Sequence, residues 1–94
     1  MIVNNTGCAL CNSTWGNYYQ TIENTKLFFC CEACANIFNE IIVYLKRKFE
    51  IVSIDKIGLQ GNPRYRNFVI FSNKIEFKGK LTFSNKKILE CQVY

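Results

Sequence analysis

The chain has 94 residues, 49% hydrophobic and 15% aromatic, with one proline and only 20% charged side chains. That is enough apolar matter for one folded domain, too little length for two, and too little charge for a disordered segment. Histidine is absent, which excludes His-based acid/base catalysis, Ser-His and Cys-His nucleophiles, Cys2His2 fingers and imidazole metal ligands together. Charge divides along the chain: residues 1–40 carry one basic and three acidic side chains, a net of −2, and residues 41–94 carry eleven basic and four acidic, a net of +7.

The apolar runs, such as residues 41–45 and 68–71, fall far short of the roughly 20 residues a membrane helix needs. Residues 1–7 hold neither a basic n-region nor an apolar h-region, so no secretory signal is expected. A cytoplasmic protein without a membrane association is therefore expected. In a reducing compartment cysteines act as metal ligands or reactive thiols more often than as disulfides. Five of the six lie between Cys8 and Cys34, and Cys91 stands alone. Adjacent Cys30 and Cys31 make an even disulfide pairing awkward, because a bridge between neighbours closes a strained ring.

In chain order, the Cys8-x-x-Cys11 pair comes first, followed by two short runs rich in aromatic and β-branched residues, 18–22 and 26–29, separated by Glu23, Asn24 and Thr25. These predict a β-hairpin. From Cys31 onward, apolar residues at Cys34, Ile37, Phe38, Ile41, Leu45 and Phe49 recur every three or four positions, the pattern of an amphipathic helix of about four turns. Lys46, Arg47 and Lys48 fall in its last turn, where positive charge complements the helix dipole. Residues 50–67 read mostly as loop, with a strand expected over 51–57 and a turn around Gly58, Gly61, Asn62 and Pro63. Runs at 67–71, 74–78, 80–83 and 87–93 predict an antiparallel meander, with turns at Ser72-Asn73, Gly79 and Ser84-Asn85. Leu89, Cys91 and Val93 alternate onto one face, which makes Cys91 a core residue. The fold class expected is α+β: residues 1–50 form a zinc lobe and residues 51–94 a basic antiparallel β lobe packed with it as one domain.

The cysteines carry the chemistry. A zinc ion takes four soft ligands in a tetrahedron, and two close cysteine pairs from separate segments supply them while clamping those segments together. The second pair sits where a helix starts, and there unpaired backbone N–H groups and the positive dipole end stabilise thiolate charge. Knuckle, hairpin and helix with ligands at these two places is the treble-clef arrangement. A site of cysteines alone suits zinc, and also iron. Cys8 and Cys11 supply one pair; spacing admits either Cys31 and Cys34 or Cys30 and Cys34 for the other, since both separations share a helix face.

Phe29-Cys30-x-x-x-Cys34-x-x-x-Phe38 resembles the signature of TRASH and YHS treble clefs and of a zinc-binding ribosomal protein of archaea and eukaryotes. The resemblance covers about residues 8–45 and implies that Cys8, Cys11, Cys30 and Cys34 hold the metal, with Cys31 spare. The wider pattern, Cys8-x-x-Cys11-x-x-x-Trp15-Gly16-x-Tyr18-Tyr19 followed by Phe29-Cys30-Cys31-x-x-Cys34-Ala35, is similar to a small group of archaeal proteins of unknown function that resemble a treble clef joined to an extra β lobe. Asn12 stands where many knuckles carry glycine, and Asn tolerates left-handed φ. The basic lobe has no counterpart in TRASH or YHS domains.

These readings imply a small non-enzymatic, monomeric zinc protein, an interaction module whose protein or acidic partner touches the basic lobe. Metal trafficking or sensing, with Cys31 as an extra thiol, is the alternative the TRASH resemblance suggests. Arg64 and Arg66, flanking Tyr65, are the candidates for an exposed anion contact. Lysines outnumber arginines nine to three, whereas recognition surfaces favour arginine for its bidentate geometry, so only weak, salt-sensitive nucleic-acid binding is expected. Phe29, Phe38 and Trp15 are read as covers for the metal site rather than as base-stacking platforms.

Overall fold

The structure, a computed structural model, describes residues 1–3 and 5–94. Its elements in chain order are β1 (Ile2–Val3), the hairpin β2 (Tyr18–Ile22) and β3 (Thr25–Phe29), helix α1 (Glu32–Lys48), and strands β4 (Lys56–Gly61), β5 (Tyr65–Ser72), β6 (Ile75–Ser84) and β7 (Lys87–Val93). The expected α+β class, with one helix and an antiparallel meander, is present. The five-stranded sheet has the order β1-β4-β5-β6-β7, with β1 parallel to β4 and every other pairing antiparallel. The two residues of β1 gave no sequence signal because a ladder this short is fixed by its partner strand.

Three of the hairpins share one device. Glu23-Asn24, Asn73-Lys74 and Asn85-Lys86 all have positive φ at both positions, the type I′ geometry whose twist matches that of the flanking strands. Glu23 then links three segments: its carboxylate accepts from Lys46 Nζ at the end of α1 and from the backbone N–H of Ile54. The helix buries Ala35, Phe38, Ile41, Ile42 and Leu45 along one stripe. It ends in a Schellman motif, with Ile51 N–H donating to Lys46 O at 3.0 Å and Glu50 N–H to Arg47 O at 3.4 Å.

Several expectations are corrected in the sheet. Residues 51–55 form no strand; β4 starts at Lys56 and runs through Gly58 to Gly61, with Ile57 and Leu59 facing inward. Gly79 is not a turn but the middle of the ten-residue β6, opposite Phe68. A Cβ there would lie 2.6 Å from Phe68 Cζ and 2.2 Å from Gln92 O, so the glycine makes room for a neighbouring ring. In β7 the alternation breaks: Thr82 faces Glu90 while Phe83 faces Ile88, which leaves Leu89 as an unpaired bulge residue. Ile88 and Cys91 therefore pack partly against the core, while Leu89 is 69% and Val93 50% exposed. Burial pushes the half-buried Cys91 thiol up, against the opposing influence of Lys48 and Tyr44.

Buried side chains from the knuckle, hairpin, helix and sheet belong to one cluster, from Cys8 and Phe29 through Leu45 to Phe68 and Leu81. Phe49, capping the helix, stacks toward Phe68 and Phe77 of the sheet at 6.1 and 4.4 Å. The inward row of β5 is Arg66, Phe68, Ile70 and Ser72. Arg66 is thus 7% exposed, not the surface anion contact expected; Arg64 alone of that pair is exposed.

Candidate metal centre

The site is built from three local structures. Between Cys8 and Cys11 the chain makes a tight turn, with Asn12 N–H donating to Cys8 O at 2.8 Å and Cys8 N–H to Ser13 O at 2.8 Å. Asn12 adopts φ +65°, and its Oδ1 accepts from the backbone N–H groups of Thr6 and Gly7 at 2.9 and 3.0 Å. This gives asparagine a use glycine would lack, since its side chain ties the incoming chain to the turn. The knuckle is pinned to the hairpin by Ala9 N–H donating to Phe28 O at 2.9 Å.

The other two positions come from the end of β3 and the first turn of α1. Cys30 follows Phe29 directly, and Cys34 lies in the helix, whose N-cap is Cys31. Cys31 makes no side-chain cap hydrogen bond. Gly16, at φ +87°, passes so close to this segment that a Cβ would stand 2.1 Å from Cys30 O. Only glycine lets the segment before the hairpin lie against the cysteine pair.

The sulfurs of Cys8, Cys11, Cys30 and Cys34 all lie within 4.8 Å of one another, the one such grouping among the described residues. Cys11 to Cys30 is 3.6 Å, Cys30 to Cys34 3.3 Å and Cys34 to Cys11 4.0 Å. A tetrahedron with metal–sulfur bonds of about 2.3 Å has edges of about 3.8 Å, so four such sulfurs match the size of a tetrathiolate metal site. Every cysteine is a free thiol. Cys31 stands outside the quartet, its sulfur 3.9 Å from that of Cys30, and Cys91 is on the far strand β7.

The thiols differ in acidity according to their surroundings. Burial raises Cys11, but the Ser13 hydroxyl at 3.2 Å, the Ser13 backbone and the neighbouring cysteines outweigh it and bring the group down to about 7. Burial, supplemented by Cys11 and Cys31, pushes Cys30 up to about 12. Burial and the surrounding thiols push Cys34 up as well. Four thiolates this close repel one another, and a cation among them removes that penalty as it displaces their protons.

Aromatic cover is divided. Phe29 and Phe38 are fully buried beside the cluster, ring edge to ring face at 5.4 Å. Trp15, also expected as a cover, is 63% exposed and forms one wall of a groove of about 300 Å³ that also touches Cys11, Cys30 and Cys34. Tyr19 is exposed with Lys26 Nζ 4.9 Å above its ring, a cation–π contact that occupies the face a base would stack on.

Arg66, expected at the surface as an anion contact, instead turns inward, and its Nη1 donates to Leu10 O inside the knuckle at 3.2 Å; its place on the inward row of a strand was the available signal. Among the described residues no helix is long and apolar enough to cross a membrane. No curated protein and no solved structure matches the chain. The Ta0938 family model matches residues 5–92, and the chain, carrying this four-cysteine cluster, belongs to the Ta0938 family.

Proposed function

We propose that the chain is a small, non-enzymatic zinc protein of treble-clef type, in which Cys8, Cys11, Cys30 and Cys34 hold one structural zinc ion and the assembled surface serves as an interaction module. The observation that carries this reading is the convergence of four sulfurs from two separated segments to within 4.8 Å. The order knuckle, hairpin, helix, with sulfurs at the knuckle and the helix start, supports the treble-clef assignment. Zinc is preferred because it needs no redox partner and takes an all-cysteine tetrahedron, though iron accepts the same donors.

The basic sheet lobe is the surface for an acidic or protein partner, and the protein acts as a cytoplasmic monomer. Nucleic-acid binding stays weak; submicromolar affinity for oligonucleotides at near-physiological salt would reverse that part of the reading. Native mass spectrometry of the purified protein, paired with metal analysis, tests the centre: one zinc on a single chain is expected, and a chain free of bound metal after reducing, chelator-free preparation overturns it. A second reading, metal transfer, is favoured by one observation. Cys31 places a fifth, half-buried sulfur 3.9 Å from Cys30 and on the wall of the groove, where it can meet an incoming soft metal.

A further inference from the structure

Arg66 is a buried cation at the junction of the two lobes. It is 7% exposed, sits in line with Phe68 and Ile70 on the inward row of β5, and gives one hydrogen bond among the described residues, Nη1 to Leu10 O at 3.2 Å. A guanidinium has five N–H donors and cannot shed its charge. Buried charges require a counter-charge, yet the ion pairs among the described residues are Lys46–Glu23 and Lys78–Glu76. No carboxylate is paired with Arg66 there. What shares its surroundings is the cysteine cluster: Arg66 touches the same groove as Cys11, Cys30 and Cys34, with Lys86 on the rim, and no acidic side chain lines that groove.

The charges close when the site is filled. Four thiolates around a divalent ion leave a net of −2, and Arg66 with Lys86 supplies +2. An external anion in the groove would face a balanced site, so the unspent donors do not point to an anionic ligand. We propose that Arg66 is the counter-charge of the metal centre, a positioning residue delivered by the sheet lobe, with Lys86 as a weaker, solvent-screened second. This rests on the metal-binding reading above and extends it: the ion holds together not only knuckle, hairpin and helix but also β5 against the knuckle, so metal occupancy and lobe docking are coupled.

The test compares the wild-type chain with R66Q, K86Q and R64Q, the last an exposed arginine two residues away. Zinc affinity is read by competition with a chelator of known strength. R66Q is expected to bind roughly 10- to 100-fold more weakly, the usual effect of losing an outer partner of a metal site, K86Q a few-fold more weakly, and R64Q like wild type. Loading the same proteins with iron separates charge from scaffolding, because a ferrous tetrathiolate carries one more negative charge than a ferric one. Removing a nearby cation lowers the potential, and each tenfold loss of preference for the ferrous site corresponds to about 59 mV. Should R66Q fail to fold, K86Q on its exposed turn must still show both effects with the same sign. Wild-type affinity in both R66Q and K86Q overturns the proposal, as does weaker binding with an unchanged potential, which would mark Arg66 as a mere prop for the Leu10 carbonyl. A wild-type chain that takes up neither metal instead overturns the metal-binding reading itself.

Discussion

The two halves of the molecule are stabilised by different means. The sheet lobe is a continuous sheet, interrupted by one bulge, in which β5 and β6 each pair on both sides, and its inward rows, Ile57 and Leu59, Phe68 and Ile70, Leu81, stack into the core. The N-terminal lobe has a lone two-stranded hairpin, a single helix and a knuckle with no regular structure. An isolated hairpin is marginal in water, and the helix meets it along one stripe. The cysteines sit where that lobe lacks a ladder, at the junctions of knuckle, strand and helix. Backbone pairing does in one half what a metal ion would do in the other.

Metal removal should break the comparison most widely. Structural zinc contributes roughly 10–16 kcal/mol of apparent binding free energy, as much as the roughly 5–15 kcal/mol that holds a whole domain folded. Chelation is expected to unfold at least residues 8–45. Amide resonances of β2, β3 and α1 should collapse toward random-coil positions as chelator is added, and retention of their dispersion would show that the N-terminal lobe stands without metal.

Within that lobe, the two adjacent cysteines should behave oppositely. Cys30 lies inside the quartet and Cys31 outside it. Cys31→Ser is expected to keep one zinc per chain, and Cys30→Ser to fall well below one. Metal analysis of the two variants giving the reverse would move the ligand to Cys31.

In the sheet lobe, a sensitive position is Gly79. Alanine there would force its Cβ into Phe68 and the Gln92 carbonyl. Overpacking of this kind costs about 3 kcal/mol at a well-packed position. Denaturant unfolding of the zinc-loaded Gly79→Ala protein should show that loss with the metal content unchanged, which separates damage to the ladder from damage to the centre.

How much of this was legible depended on the range of the interaction. The helix showed itself through the 3.6-residue recurrence of Phe38, Ile41 and Leu45, and the hairpin through its aromatic runs. The cysteine spacing marked the quartet, but spacing alone could not choose between Cys30 and Cys31. That depends on where β3 ends and α1 begins, which the strand pairing Tyr18 with Phe29 fixes. In the sheet, turn chemistry misled at Gly79, because glycine there answers a ring on the neighbouring strand rather than a bend. Leu89, Cys91 and Val93 alternate in sequence as a buried row does, but the bulge beside Phe83 resets the faces. Arg66 was hidden for the same reason: its neighbours Arg64 and Tyr65 are exposed, and only the register of β5 turns it inward.

The smallest effect lies at the joint between the halves. Glu50 follows the helix cap Phe49 and adopts φ +54°, the left-handed conformation that a Schellman ending requires and that glycine adopts without strain. For an L-residue with a Cβ this conformation costs roughly 1–2 kcal/mol, and glycine gives part of the relief back through its freer unfolded chain. Glu50→Gly should therefore stabilise the protein by about 0.5 kcal/mol, raising the melting temperature by about 2–4 °C for a domain of this size. Glu50 is exposed and takes part in neither of the two ion pairs found among the described residues, so little is lost with its side chain. Glu50→Ala keeps the left-handed strain and serves as the control, expected at or slightly below wild type. Equal melting temperatures for the glycine and alanine variants would show that the helix end relaxes out of the left-handed region, and that the joint between helix and sheet is set by Phe49 against Phe68 and Phe77 rather than by the backbone.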